Sequence, residues 1–182
     1  IDSSLNRKFK LINGRTHEEI WACTWQLEDT ESALRNFNKY GLLGPTKFKD
    51  VDECYLRLYG FLSCVFMQKD AVLELTKILM PARKTKVADL FKNNSLVILR
   101  NRLASHNVSN VNDKRTSILS QRSLLNENMV IHYVTDKAYE VDLRLELKAF
   151  QKLAKTYKSR VKFQCSKAYL SAHLKYYFFP KH

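Results

Sequence analysis

Apolar side chains recur three and four residues apart along most of the chain, a spacing that predicts helices. From about Thr16 to Tyr40, Ile20, Cys23, Leu27, Leu34 and Phe37 supply one apolar side, with Trp21 and Trp25 adjoining it. Thr16-His17-Glu18-Glu19 reads as a capping box, whose hydroxyl and carboxylate satisfy free backbone donors at the helix start, and Gly41 permits a left-handed C-terminal cap. After the Gly44-Pro45 loop, Asp50-Val51-Asp52-Glu53 suits the positive end of a helix dipole, and the pattern runs to Met80, where Pro81 stops it. Cys54, Leu58, Phe61, Val65, Val72, Leu75 and Leu79 form one stripe of this second helix; Tyr55, Tyr59, Leu62 and Phe66 form another beside it. So broad an apolar surface predicts burial on two sides, in the middle of a bundle or at a dimer interface.

Val87, Leu90 and Phe91 continue the helical spacing until Asn93-Asn94-Ser95 interrupts it. A new helix is expected from Leu96 to about His106, followed by a polar loop from Asn107 to Ser117. Across 117–141 the period changes to two: Met129, Ile131 and Tyr133 alternate, as do Tyr139, Val141 and Leu143, between the turn-formers Asn126-Glu127-Asn128 and Thr135-Asp136-Lys137. That predicts a small β-hairpin insertion. From Asp142 the helical spacing returns through Leu143, Leu147, Phe150, Ala154, Tyr157, Val161, Cys165, Ala168 and Ala172, a long last helix with room for one break. The expected fold class is mainly α, one domain over 1–182.

Composition narrows this further. A chain of 182 residues that is 45% hydrophobic can bury a core without a metal or disulfides, and it is not intrinsically disordered. Only 4 Gly and 3 Pro argue against a sandwich or a doubly wound sheet, which need many tight turns. Apolar runs of about eighteen residues are missing, and Ile1-Asp2-Ser3-Ser4-Leu5 lacks a basic-then-apolar secretory pattern, so a cytoplasmic protein without a membrane partner is expected. A first residue other than Met leaves room for residues upstream. Cys23, Cys54, Cys64 and Cys165 have no C-x-x-C spacing and read as small buried hydrophobes in a reducing compartment. His17, His106, His132, His173 and His182 are far apart and at no recurring ligand spacing, so neither a metal nor a cofactor is expected.

The formal net charge of +13 is unevenly placed. Residues 1–91 carry 14 basic and 12 acidic side chains, residues 92–182 carry 17 and 6, and 147–182 carry nine Lys or Arg with no acid. Such a surface can be a solvated lysine face that aids solubility. Nucleic acid is the favoured partner, since a potential of this sign attracts phosphates and holds them by counterion release. Lys148, Lys152, Lys155 and Lys162 fall within roughly a quarter-turn of each other, expected beside the apolar stripe, at the rim of any groove the last helix borders.

One segment concentrates polar chemistry. Arg100-Asn101-Arg102-Leu103-Ala104-Ser105-His106 places two guanidiniums, an amide, a hydroxyl and an imidazole within seven residues, after the apolar run Leu96 to Leu99. The plainer alternative takes Arg100 and Arg102 as surface side chains, and His106 as a basic residue at a helix C-terminus. Here the sequence resembles the HEPN superfamily, whose motif is an Arg, a polar residue that is commonly Asn, and a His after four to six intervening positions. Arg100, Asn101 and His106 match it, and so does the order of elements: two long helices, the motif on a third and a closing long helix.

The resemblance implies a four-helix up-and-down bundle and a metal-independent endoribonuclease, acting as a toxin or in defence against phage. The residue types suit that reaction. RNA brings its own nucleophile, the 2′-hydroxyl; histidine moves protons near neutral pH, and arginine holds a phosphate through two parallel donors. His106 is then the proton-transfer group, Arg100 the clamp on the phosphate and Asn101 its orienting neighbour, with 2′,3′-cyclic phosphate and 5′-hydroxyl ends as products. Arg102 is the alternative clamp or an RNA contact. On a straight helix His106 lies about 120° around and about 9 Å along from Arg100, awkward for one copy acting alone. The resemblance implies a homodimer in which two copies of the motif form one composite site. The toxin reading adds an antitoxin protein as a partner, although Val108 stands where toxins paired with a nucleotidyltransferase often carry Tyr. The competing reading is a non-catalytic module that binds RNA or protein; a purely structural helical protein is a third.

Overall fold

The computed structural model describes the backbone of residues 14–103, 117–134 and 137–178, with side chains over 18–103, 118–134 and 137–161 and at Phe163. The described residues form, in order, α1 (Gly14–Tyr40), α2 (Val51–Leu79), a 3₁₀ turn (Pro81–Arg83), α3 (Lys84–Lys92), α4 (Ser95–Leu103), β1 (Ser117–Leu119), α5 (Gln121–Leu124), β2 (Met129–Val134), β3 (Lys137–Asp142) and α6 (Leu143–Phe178). The protein is mainly helical, with one small antiparallel sheet. Among the described residues no helix is long and apolar enough to cross a membrane.

Local signals fix the element starts. The Asp50 carboxylate accepts a hydrogen bond from the Glu53 backbone N–H at 2.8 Å and caps α2. Asn94 accepts from the Leu96 N–H at 3.1 Å, so the break between α3 and α4 is also the start of α4. Asp142 ends β3 and caps α6, accepting from the N–H groups of Arg144 and Leu145 at 2.9 and 3.0 Å. The last helix then runs for 36 residues without a break. α1 begins at Gly14, before the expected capping box, which puts Thr16 inside the helix.

α2 is the centre of the bundle and packs against α1, α3, α4 and α6. Its first stripe is buried throughout, while Tyr55, Tyr59 and Phe66 of the second are half-buried. Phe37 of α1 stacks on Phe61 of α2 with centroids 3.9 Å apart, and Phe91 meets Phe150 edge-on at 5.7 Å, joining α3 to α6. One continuous core links all the long helices and takes in Val130 of β2. The α1–α2 loop is anchored to the turn before β2. Gly41 holds φ +63°, Leu42 N–H donates to the Glu127 carbonyl at 2.9 Å, and a Cβ on Gly41 would stand 2.5 Å from that same oxygen.

Three expectations change. The insertion is a three-stranded sheet in the order β1-β2-β3, not a hairpin, because Ser117–Leu119 pairs with β2. The alternating apolar set Met129, Ile131 and Tyr133 lies on the less buried face, while Val130, His132 and Val134 are buried. Trp21 and Trp25, expected to adjoin the core side of α1, lie about 160–180° round from its buried line and keep 52% and 50% of their surface exposed.

Candidate nucleic-acid site

Arg100, Asn101 and Arg102 occupy the last turn of α4, whose other face buries Leu96, Val97, Leu99 and Leu103. Residues two apart on a helix diverge by about 200°, so the two guanidiniums leave α4 toward different neighbours. Arg100 is half-buried and stands 3.7 Å over the ring centroid of Phe66 in α2. The Lys69 ammonium lies 3.7 Å from the same centroid. Phe66 thus carries a cation contact from each of Arg100 and Lys69, and Asp70 pairs with the Lys69 ammonium at 2.9 Å. Arg100 Nη1 donates to Asn101 Oδ1 at 3.3 Å, and Asn101 is exposed.

Arg102 turns to the sheet. Its guanidinium lies 5.5 Å over the ring of Tyr139 in β3, and Tyr139 stacks on His132 of β2 at 5.4 Å and 17°. His132 and Tyr139 are cross-strand partners, which puts both rings on one face of the sheet. His132 is buried, and burial first, then the positive charge of Arg102, holds its imidazole below the ordinary histidine range. The ring is therefore neutral near neutral pH. Neither His132 nor Tyr139 was singled out by the motif. The available signal was their alternation in two runs of strand periodicity, which gives a face but not the arginine above it.

His106 lies outside the described residues, as does the side chain of Lys162. The structure thus brings Arg100 and Asn101 together and sends Arg102 to a separate aromatic neighbour. Lys148, Lys152 and Lys155 are exposed. They lie about 120–180° from the buried line of α6, so they form its outward face and not the edge of its apolar stripe. The expectation of a groove rim is corrected: the core needs Leu147, Phe150 and Ala154, and these side chains turn the lysines away from it. Two open depressions, of about 630 and about 420 Å³, lie elsewhere, one at the α1–α2 loop beside Phe48 and Leu56, the other between Met80, Arg83 and Arg160.

Cys23 and Cys54 are buried and Cys64 is half-buried; burial raises all three thiols above their ordinary values, which disfavours thiolate chemistry. Among the described residues no three His, Cys, Asp or Glu side chains gather where a metal ion could be held. Comparison with known protein families, curated proteins and solved structures finds no match to the chain.

Proposed function

We propose that the chain is a metal-independent endoribonuclease of the HEPN type, a four-helix up-and-down bundle whose reacting groups are Arg100, Asn101 and His106. The observation that carries this reading is the support given to Arg100 in the last turn of α4. A guanidinium stacked over Phe66 is fixed in place yet keeps in-plane N–H donors for a phosphate. Asn101, hydrogen-bonded to Arg100, steadies it from the solvent side.

In the reaction, the 2′-oxygen bonds to phosphorus as the bond to the 5′-oxygen breaks. One His106 imidazole takes the 2′-hydroxyl proton, and the imidazolium of the second copy protonates the leaving 5′-oxygen. Arg100 stabilises charge on the non-bridging oxygens. Two copies in a homodimer supply both histidines. Arg102 contacts RNA beside this centre, and the net charge of +13 supplies the positive potential that draws RNA in. A cytoplasmic toxin or anti-phage role fits an RNA-cleaving activity, with an antitoxin protein as its restraint.

The Arg102–Tyr139–His132 stack favours a second reading. These groups occupy one another, as in a rigid binding surface, and a non-catalytic module that grips RNA would use them so. Incubation with RNA in EDTA separates the two. Under the enzyme reading cleavage survives the chelator and falls about 10²–10⁴-fold in His106→Ala with the oligomer intact. RNA binding without turnover identifies the module instead.

A further inference from the structure

The dimer in the proposed function needs a surface, and the expected one is already committed: the apolar stripes of α2 pack against four helices of their own bundle. Two outward helix faces combine exposed apolar side chains with charges of opposite sign. On α1, Trp21 and Trp25 meet edge-on at 5.5 Å with half of each side chain exposed, among the exposed carboxylates Glu18, Glu28 and Asp29. Residues 18–56 hold eight acidic and four basic side chains in a chain whose net charge is +13. On α6, the exposed Lys148, Lys152 and Lys155 lie between Leu145 and Phe163, which are 62% and 65% exposed. No Lys or Arg among the described residues forms an ion pair with Glu18, Glu28 or Asp29.

We infer that the Trp21–Trp25 face of α1 docks on the lysine face of α6 in a second copy of this chain. The two faces are complementary in charge: carboxylates flank the tryptophans, ammonium groups flank the exposed Leu145 and Phe163, and each face offers the apolar surface that the other lacks a cover for. The arrangement can close on itself. The Glu31–Lys158 ion pair and the Arg144 hydrogen bond to the Lys39 carbonyl at 3.3 Å tie α6 to α1. A twofold axis that matches each of the two complementary patches with its opposite in the partner gives a dimer and not a filament. Paired tryptophans at the centre and charges at the edge are the usual anatomy of such a contact. The α6 face also begins close to the motif, since Tyr139, under Arg102, precedes the first residue of α6 by four positions.

The inference rests on the dimer of the proposed reading and not on its chemistry, so loss of nuclease activity alone leaves it standing. The chain has only 2 Trp, both in this patch, so their fluorescence reports its coverage directly. Sedimentation of the full chain is expected to give a dimer, with emission shifting to the blue as the dimer forms and back to the red in high salt. Trp21→Glu with Trp25→Glu, checked for unchanged helicity, should weaken association by at least about 10-fold. Glu28→Lys with Asp29→Lys, and separately Lys148→Glu with Lys152→Glu and Lys155→Glu, should each give monomers, and mixing the two charge-reversed chains should restore a heterodimer. A monomer at all concentrations overturns the inference. So does a dimer whose emission matches the monomer's, a mixture that stays monomeric, or an emission shift that appears only when RNA is added.

Discussion

The two arginines of the motif are two residues apart and rest on unlike parts of the molecule. Arg100 leans on the bundle, where Phe66 projects from a helix buried against four others. Arg102 leans on the sheet, where Tyr139 is 41% exposed and backed by a buried, neutral histidine. The bundle side is held by aliphatic and aromatic packing, which is insensitive to pH. The sheet side depends on a polar ring in a dry place beside a positive charge, and that makes it conditional. The contrast gives Arg100 a support that pH leaves alone and Arg102 one that rests against a titratable ring.

The comparison is broken most strongly from the bundle side. Phe150→Ala empties the contact with Phe91 and should cost about 3–5 kcal/mol in chemical denaturation, enough to compromise the whole domain. Gly41→Ala should cost about 1–3 kcal/mol, because it combines a left-handed φ with a clash against the Glu127 carbonyl, and it should separate the α1–α2 loop from the β2 turn. Tyr139→Leu removes the ring beneath Arg102 and the stack on His132, at about 1 kcal/mol. Amide exchange should then rise in the sheet while α2 stays protected; equal loosening of both would erase the distinction.

The most gradual effect is that of pH. Because the folded imidazole of His132 is held below its ordinary value of about 6.5, the unfolded chain takes up the proton first as pH falls. The stability contributed by neutral His132 is therefore complete above that value and is lost as pH drops through it toward the folded pKa. The difference in thermal stability between wild type and His132→Gln should be constant above about pH 7 and change below about 6.5, with the wild type losing more.

Helix starts with a local cause were legible in the sequence, although the box at Thr16 expected to cap α1 lies inside it. Asp50, Asn94 and Asp142 sit immediately before helices that their own side chains cap. Facing was harder to read. Periodicity treats a tryptophan as core, yet Cys23, Leu27 and Leu34 already fill the inner side of α1 and leave Trp21 and Trp25 outside. In β2 the apolar alternates Met129, Ile131 and Tyr133 compete with Val130 and Val134, and the inward set wins although it includes His132. Its cross-strand neighbour Tyr139 stacks on that histidine, and the arginine over Tyr139 comes from elsewhere in the chain, which no window around residue 132 contains. The candidate site divides in the same way: the succession Arg100-Asn101-Arg102 is visible as letters, whereas Phe66, Lys69 and Tyr139 become its neighbours only through tertiary packing.

The account stands most directly on the ends left on RNA. Wild-type protein incubated with a single-stranded RNA in EDTA is predicted to leave 2′,3′-cyclic phosphate and 5′-hydroxyl termini, with Arg100→Ala and His106→Ala leaving the RNA intact. Ends bearing a 3′-hydroxyl and 5′-phosphate, or cleavage undiminished in both variants, would contradict it.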